Sequence, residues 1–303
     1  MPELPEVQSV ANYIKPYLLN QTISKIEPLN NFNRVFETHS SDEIIQLVKG
    51  QHINNVFRRG KYIIIDLDQG FLCIHLRMTG QLQTQLTNQD NKKHFTAKIK
   101  MQNGKELYFK DYRKFGRFYY YESLDILEKK LGCEPLSPSF DLLYLLNGLK
   151  KSRGMIKPKL LNQSFIAGLG NIYVDESLWE ARIHPRKISM KIGNQKIKRL
   201  WRAIPSILKS AINYNGTTII NFSYGNKIPG GFKKYLNVFG KEGSPCPRCK
   251  TKVKKYLLDR GERIIALNVK NCNHLFIISA LIVRAFFISL ISFVNWLSGG
   301  NHE

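Results

Sequence analysis

The sequence predicts an α+β protein in which an N-terminal helix and a β-sandwich or barrel precede a helical domain. Two patterns indicate this class. Apolar residues repeat at helical spacing near the start and again after residue 150, and short β-type runs fill the segment between. The chain has 303 residues, of which 43% are hydrophobic. Such a chain is typical of about two domains of roughly 150 residues each, and its composition excludes wholesale disorder.

The first predicted element is a helix over residues 6–18. Apolar side chains recur there every three or four positions, so one face of the helix is hydrophobic. Pro5 falls near the first turn, where the missing N–H of proline leaves no hydrogen bond unmade. The apolar positions are Val7, Val10, Ala11, Ile14 and Leu18.

From about residue 21 to residue 121 the pattern changes to short runs of β-branched and aromatic residues. The clearest runs cover residues 62–67, 71–76 and 118–121, and glycine, asparagine and aspartate separate them. Such runs with turn residues between them are typical of an antiparallel sandwich or barrel.

Helical spacing returns after a proline-rich stretch near residue 135 and continues to about residue 213. The glycines of Ala167-Gly-Leu-Gly-Asn171 interrupt it, which predicts two helices joined by a glycine turn. The resulting division is an N-terminal domain at 1–133, a linker at 134–150, a helical domain at 151–240, a cysteine-containing segment at 241–265 and an atypical apolar tail at 266–303.

The charge balance points to an anionic partner. Lysine and arginine number 46 against 23 aspartates and glutamates, which gives a formal net charge of +23. Nucleic acid is the first candidate, because basic side chains that neutralise phosphates release condensed counterions. An anionic membrane surface is the rival. The start lacks the apolar run of a secretory signal, and one Cys-x-x-Cys is no disulfide framework, so we expect a cytoplasmic, nucleoid-associated protein.

The second residue is a proline, and removal of Met1 leaves Pro2 with a free secondary amine. An α-amino group titrates near about pH 8, so a useful fraction is unprotonated and can attack an electrophilic carbon, as in Schiff-base enzymes. Glu3 and Glu6 lie within a helical turn of this amine, where carboxyl groups can move protons or stabilise a cation. Taken alone, these residues are more simply explained as a common chain start, with glutamates whose negative charge is stabilised by the positive end of the helix dipole.

The whole opening string, Met1-Pro-Glu-Leu-Pro-Glu-Val7, resembles the amino terminus of bacterial formamidopyrimidine-DNA glycosylases. Further blocks follow in the order of that family, and the resemblance extends to about residue 263. It implies an enzyme that excises 8-oxoguanine and ring-opened purines and then cleaves the abasic strand. It also implies a helix–two-turn–helix element at the glycine turn and a C-terminal zinc ribbon. The blocks are Arg58-Arg-Gly-Lys61-Tyr, His75-Leu-Arg-Met78-Thr-Gly, Asp111-Tyr-Arg113-Lys-Phe115-Gly, Leu131-Gly-Cys-Glu-Pro-Leu-Ser and Ile156-Lys-Pro-Lys-Leu-Leu-Asn-Gln-Ser-Phe-Ile-Ala-Gly-Leu-Gly-Asn171-Ile-Tyr-Val-Asp-Glu.

The resemblance also implies catalytic roles. Pro2 matches the nucleophile that attacks C1′ of the damaged nucleotide, and Glu3 matches the proton donor, with Glu6 in support. Lys61 matches a lysine that holds a phosphate and assists β-elimination. Without the resemblance, Lys61 is a solvated lysine in a basic turn.

Removing a base from duplex DNA requires the nucleotide to leave the stack, and the vacated space must be filled. The resemblance assigns this task to Met78, Arg113 and Phe115. Phe115 would wedge beside the orphaned base, Arg113 would hydrogen-bond that base, and Met78 would occupy the gap. The alternative is that Met78 and Phe115 are core side chains of a β-domain.

Further residues match positions of the family that face DNA, and each is otherwise an ordinary surface residue. The glycines at 168 and 170 would let the backbone approach a phosphate, and the next helix N-terminus would add its partial positive charge. The loop at 216–231 corresponds to the segment that closes over the extruded base. The four matching residues are His94, Arg153, Lys157 and Asn171.

The pattern breaks near the C-terminal end. The family's zinc ribbon uses four cysteines, which would hold one structural zinc ion. Here only Cys246 and Cys249 are present, and Cys272 and His274 follow at unsuitable spacing. Arg260 stands where the family has an arginine that binds the phosphate beside the lesion and aids the later elimination.

A frameshift would explain this break. In a shifted frame the codons of residues 264–270 can encode Tyr-Cys-x-x-Cys-Gln, which is the missing ending. We therefore expect that a frameshift near Glu262 or Arg263, in the gene or its sequencing, replaced residues 264–303. The apolar run at 275–297 is long enough to span a bilayer, but out-of-frame translation of AT-rich DNA yields such runs, so we expect no membrane association.

Two other functions stay open at this point. An enzyme similar to endonuclease VIII would prefer oxidised pyrimidines, although its amino terminus and wedge residues differ from those here. A catalytically impaired protein that still binds damaged DNA would follow from the broken zinc ribbon. We expect a monomer whose partner is damaged double-stranded DNA and which needs no redox cofactor.

Overall fold

A computed structural model describes residues 1–86, 90–218, 229–257 and 263–266, the backbone alone at 255–257 and 263–266. The described residues combine helices and antiparallel sheets, so the predicted α+β class is confirmed. The helices are α1 (Leu4–Leu18), α2 (Ser41–Val48), α3 (Asp125–Lys130), α4 (Leu142–Lys150), α5 (Ile156–Leu161), α6 (Asn171–Glu180) and α7 (Asn194–Asn213). The strands are β1 (Ile23–Pro28), β2 (Ile53–Arg59), β3 (Tyr62–Leu67), β4 (Phe71–His75), β5 (Gly80–Gln83), β6 (Phe95–Met101), β7 (Glu106–Asp111), β8 (Arg117–Tyr121), β9 (Lys254–Leu257) and β10 (Arg263–Ala266).

Two four-stranded antiparallel sheets form a sandwich. Of the two arrangements that the sequence predicts, a sandwich or a barrel, the structure therefore has the sandwich. The strand orders are β1-β6-β7-β5 and β2-β3-β4-β8. The chain crosses between the sheets through residues 76–79, from β4 to β5, and through residues 112–116, from β7 to β8. His75 pairs with both Tyr62 and Arg117, so these two crossovers and the β2–β3 turn lie at the same end of the second sheet.

Helix α1 connects two hydrophobic cores. Its residues Val7, Val10 and Ile14 are fully or almost fully buried against the sandwich, among side chains from both sheets. Leu4, in its first turn, belongs instead to a second core built from α4, α5, α6 and α7. The start of the chain is thereby fixed between the β-sandwich and the helical part.

Helices α2 and α3 lie where the sequence predicts no helix, and helix α4 lies in the predicted linker at 134–150. Helix α2 falls within the segment predicted as strands, and its signal is a capping box in which the Ser40 and Glu43 side chains each accept a hydrogen bond from the other's backbone N–H. Helix α4 falls within the predicted linker, and the Asp141 carboxylate caps it by accepting from Tyr144 N–H at 2.6 Å. Since α4 packs in the second core, the helical part begins before residue 150.

None of the helices in the described residues is both long enough and apolar enough to cross a bilayer. The apolar run at 275–297 lies outside the described residues.

Ile63→Ala tests the sandwich core. Ile63 is fully buried in β3, so truncation leaves a cavity and should lower the free energy of unfolding by about 2–5 kcal/mol. The matched control is Ile126→Ala in α3, where the side chain is 50% exposed and the change should stay within about 0.5 kcal/mol. Urea denaturation of both variants measures the difference, and equal losses would contradict the described packing.

Candidate active site

The first residues of the chain are buried where α1 meets α6. Pro2 and Glu3 are buried, whereas the Met1 side chain is 55% exposed. The Glu3 carboxylate accepts hydrogen bonds from Ile172 N–H at 2.9 Å and from Tyr173 N–H at 3.4 Å, in the first turn of α6. Unpaired N–H groups and the positive end of the helix dipole both favour a carboxylate at this place. Glu3, the residue next to Pro2, is thereby fixed at the start of α6.

The predicted glycine turn lies between α5 and α6 as expected, and its glycines also make room for the start of the chain. A Cβ on Gly170 would lie 2.3 Å from Cδ of Glu3, and a Cβ on Gly168 would lie 2.8 Å from Cβ of Leu4. Gly168 also has φ +90°, which favours glycine, and its carbonyl accepts from Leu4 N–H at 3.0 Å. The glycines therefore make room for residues 3 and 4, and the approach of a phosphate to this turn stays a prediction. The Asn171 side chain at the start of α6 is exposed.

Glu6 connects the chain start to two other elements. Its carboxylate accepts from Glu3 N–H at 2.8 Å, from Thr217 N–H at 2.7 Å and from the Tyr173 hydroxyl at 2.5 Å. Thr217 forms a bridge to Gly231 at the base of the loop predicted to close over the extruded base. Residues 219–228 of that loop lie outside the described residues. Glu6 therefore joins α1, α6 and the loop base through one buried carboxylate.

Burial shifts the pKa values of three groups here. It raises the pKa of Glu3, against the opposing charge of Lys61 and the hydrogen bonds from α6. It raises the pKa of Glu6 to about 7, and the neighbouring Glu3 charge adds to this shift. It lowers the pKa of Lys61, although the charges of Glu3 and Glu6 oppose the change. Carboxyl groups that hold a proton near neutral pH are suited to acid catalysis.

Lys61 lies in the two-residue turn between β2 and β3, and only 6% of it is exposed. The alternative of a solvated lysine is therefore wrong. The neighbouring Gly60 has φ +58°, and its N–H donates to Glu134. Arg58 donates to the same carboxylate with both terminal nitrogens, at 2.9 and 2.8 Å. Burial disfavours the Glu134 charge, but these donors hold its pKa below the usual range, so Glu134 fixes the turn that carries Lys61.

Met78, Arg113 and Phe115 form one exposed cluster. Met78 is 45% and Phe115 is 46% exposed, so the alternative that they are core residues is wrong. The Arg113 guanidinium carbon lies 4.7 Å from the centre of the Phe115 ring, and its Nη1 lies 3.0 Å from Sδ of Met78. The His94 ring packs on Tyr112, with the centroids 4.5 Å apart. Four predicted DNA-facing residues therefore meet at the crossover end of the sandwich.

Lys157 does not fit its predicted contact with DNA. Only 1% of the residue is exposed, and its Nζ lies 2.7 and 2.9 Å from the two carboxylate oxygens of Asp175. Burial raises the pKa of Asp175 to about 7, although the Lys157 charge opposes this shift. The pair joins α5 to α6 and is structural. Arg153, by contrast, is exposed in the connection between α4 and α5.

The cysteine segment offers an incomplete zinc site. Cys246 is buried beside Trp179, whose Nε1 donates to its Sγ at 3.5 Å, and Cys249 Sγ lies 2.8 Å from the Thr251 hydroxyl. Within the part of the chain that the structure describes, no three His, Cys, Asp or Glu side chains are placed to hold a metal ion. Two thiols are half of a tetrahedral set, so the described residues do not fit zinc. Arg260 and residues 267–303 lie outside the described residues, so the frameshift hypothesis stays a prediction.

Two family models and a relative of known name match large parts of this chain. A family model described as the formamidopyrimidine-DNA glycosylase N-terminal domain matches residues 1–118, and the H2TH domain model of the same enzymes matches residues 131–223. The formamidopyrimidine-DNA glycosylase of Pelotomaculum thermopropionicum is 39% identical over 260 residues, which cover 84% of this chain and 94% of the relative. The chain belongs to the formamidopyrimidine-DNA glycosylase family.

Solved structures of the family share this fold. A complex between a mutant of the Lactococcus lactis glycosylase and DNA containing Fapy-dG has a TM-score of 0.80 and 34% identity, and covers 87% of this chain and 97% of that chain. A complex of MutM with DNA containing carbocyclic 8-oxo-G has a TM-score of 0.79 and 34% identity, with the same coverage of both chains. The order of helix, sandwich and helical part is thus that of formamidopyrimidine-DNA glycosylases.

Sequence reasoning missed several residues of the site. Tyr173 and Glu134 stand inside blocks that resemble the family, yet their spacing alone gave no reason to place them beside Glu6 and Gly60. Thr217 lies 211 residues from its partner Glu6. Tyr173 lies two residues after Asn171, and Thr217 lies in the predicted loop at 216–231, which indicates proximity to the site but no specific contact. No such position points to Glu134.

Glu6→Gln tests the raised pKa of Glu6. Because the pKa rises from 4.5 to about 7 on folding, the folded protein binds more protons at Glu6 than the unfolded chain between these values. This contribution to stability is complete at low pH and is lost as the pH rises through about 7. The variant should be less stable overall, since its amide must face an N–H donor, but its stability should fall less than that of the parent from pH 5 to pH 8.

Urea denaturation across that pH range measures the effect, with Glu134→Gln as the control. The pKa of Glu134 is lowered in the folded state, so both states are ionised above about pH 5 and its substitution should lower stability by the same amount from pH 5 to pH 8. Identical pH slopes for Glu6→Gln and the parent would contradict the assignment.

Proposed function

We propose that this chain is a bifunctional DNA glycosylase and abasic-site lyase that removes oxidised purines from double-stranded DNA. The observation that carries the proposal is the buried Pro2 beside Glu3, whose carboxylate rests on the start of α6. Support for the substrate class comes from relatives of the same family that were solved with DNA containing Fapy-dG and 8-oxo-G. The net charge of +23 suits a polyanionic partner and a cytoplasmic enzyme that works on the chromosome.

Base release begins with the amine that removal of Met1 exposes. The Pro2 nitrogen attacks C1′ of the extruded nucleotide, and the bond from C1′ to the base breaks. The leaving base takes a proton from Glu3, which burial keeps protonated to a higher pH than an exposed carboxyl group. The proton of the attacking amine is then transferred to O4′ of the sugar, the bond from C1′ to O4′ breaks, and the nitrogen lone pair forms the double bond of an iminium ion between Pro2 and C1′.

Strand cleavage follows from this iminium ion. It acidifies the C2′ proton, whose removal expels the 3′ phosphate, and a second elimination expels the 5′ phosphate. Lys61 would neutralise the departing phosphate. It lies close enough to the chain start for its charge to oppose the raised pKa of Glu3, and the charges of Glu3 and Glu6 oppose the lowered pKa of Lys61. Water then hydrolyses the iminium ion and restores the amine.

The exposed cluster of Met78, Arg113 and Phe115 would fill the gap that the extruded nucleotide leaves in the duplex. Its position at the sandwich end that also carries the Lys61 turn supports this role, because a base extruded towards Pro2 leaves its gap nearby. Arg113 carries hydrogen-bond donors for the orphaned base, and Phe115 offers a flat ring that can stack in the gap.

Borohydride trapping tests the nucleophile. With a duplex containing 8-oxoguanine opposite cytosine, the purified full chain should become covalently joined to DNA, and Pro2→Gly should lose most of that yield because a secondary amine forms the iminium ion more readily. Intact mass shows whether Met1 has been removed. Equal trapping by both proteins would move the nucleophile elsewhere.

The same assay separates the two other functions. A thymine glycol duplex that is processed faster than the 8-oxoguanine duplex would favour an enzyme for oxidised pyrimidines. Binding of damaged DNA without trapping or nicking would favour a catalytically impaired protein.

Gly170→Ala tests the contact of Glu3 with α6. The added Cβ would lie 2.3 Å from Cδ of Glu3, so the carboxylate must move, and base release should slow on the order of 100-fold. Gly193→Ala is the matched control, since Gly193 is also a helix N-cap and nothing lies within 4 Å of the added Cβ. Single-turnover base release from the 8-oxoguanine duplex measures both variants. A normal rate for Gly170→Ala would remove Glu3 from the proposed chemistry.

A further inference from the structure

The two crossovers that carry the exposed cluster are joined by buried hydrogen bonds. We call residues 76–79 and 112–116 the wedge loops, since Met78 lies in the first and Arg113 and Phe115 lie in the second. Asp111, which has no exposed surface, precedes the second loop, and Thr79 ends the first. The Thr79 hydroxyl donates to the Asp111 carboxylate.

The same two side chains hold the backbone of the second wedge loop. The Asp111 carboxylate accepts from Gly116 N–H at 2.7 Å and from Arg113 N–H at 3.1 Å. The Arg113 N–H also lies 3.1 Å from the Thr79 hydroxyl oxygen, so it is shared between the two residues. One carboxylate thus ties together both ends of its own loop and the end of the other loop.

Both wedge loops need such support because each contains an unfavourable backbone conformation. Arg77 has φ +53° and Lys114 has φ +57°, values that cost a residue with a side chain about 1 kcal/mol or more. The Phe109 ring supports both loops from below, since a Cβ on Gly80 would lie 2.8 Å from it and a Cβ on Gly116 would lie 2.3 Å from it. The loops are therefore held in one arrangement before any DNA arrives.

We propose that Asp111 and Thr79 are positioning residues that lock the wedge loops to each other, so that Met78, Arg113 and Phe115 enter the DNA stack as one preformed unit. The inference rests on the proposed function, because it assigns those three side chains to filling the gap. Loops that were free to move would have to be ordered during insertion, and that entropy loss would slow the extrusion of the base.

Thr79→Val is the main variant, because it removes the hydroxyl at almost unchanged volume. Thr79→Ser keeps the hydroxyl and should restore the parent behaviour. Thr96→Val is the matched structural control: Thr96 is 1% exposed in β6, and its hydroxyl donates to the Phe109 carbonyl at 3.3 Å without reaching either wedge loop.

Two substrates separate positioning from chemistry. Base release from an 8-oxoguanine duplex needs the gap to be filled, whereas β-elimination at an abasic site in a single-stranded oligonucleotide needs only the Pro2 chemistry. Thr79→Val should slow the first reaction on the order of 10-fold to 100-fold and change the second less than about twofold. Thr79→Ser and Thr96→Val should resemble the parent in both reactions.

A fluorescence measurement that does not depend on catalysis uses duplex DNA in which 2-aminopurine lies opposite a tetrahydrofuran abasic analogue. Its fluorescence rises when a wedge unstacks it, so the parent and Thr79→Ser should give a larger rise on saturation than Thr79→Val. This keeps the inference testable if the parent neither traps nor cleaves DNA, a result that would count against the proposed function alone.

The inference is overturned if Thr79→Val matches the parent in duplex base release and in 2-aminopurine fluorescence. It is also overturned if Thr79→Val slows both reactions equally, or if Thr96→Val produces the same selective loss, because each result would indicate general destabilisation. Melting temperatures of all variants identify such destabilisation directly.

Discussion

The structure depends on the carboxylate of Glu3 at the start of α6. This contact joins the third residue of the chain to N–H groups 169 and 170 residues later, and it brings the first turn of the N-terminal helix into the core of the helical part. Gly168 and Gly170 leave the space for it. A chain end is ordinarily mobile, but here hydrogen bonds, helix polarity and apolar burial all fix the same few residues.

The second organising feature is the end of the sandwich where strands change sheets. The Lys61 turn and both wedge loops meet there because His75 pairs with strands on either side. The proposed roles of Lys61 and of the wedge loops therefore share one rigid frame, since antiparallel pairing fixes the strands that carry them. Pro2 and Glu3 lie instead at the start of α1, where the contact of Glu3 with α6 and the burial of Leu4 in the second core fix them.

Much of the fold could be predicted from sequence, because strands and amphipathic helices carry local signals. The run at 62–67 coincides with β3, and the apolar spacing before Leu18 coincides with most of α1. Long-range contacts carry no such signal. Lys157 looks like any basic surface residue until Asp175 is seen 18 residues later on the next helix, and the acceptor of Gly60 N–H is 74 residues away. Helix α2, by contrast, carries a local signal, since a capping box such as that of Ser40 and Glu43 can be recognised in a sequence.

The Phe109 ring beneath Gly116 ties the evolutionary freedom of these two positions together. A Cβ on Gly116 would lie 2.3 Å from this ring, whereas the nearest atom to a Cβ on Gly80 is the Leu76 carbonyl oxygen, at 2.5 Å. A lineage that replaced the phenylalanine by a smaller residue would therefore release Gly116, but the backbone would still exclude a side chain at Gly80. Phe109 and Gly116 should covary among homologues, whereas Gly80 should be retained whichever residue stands at position 109.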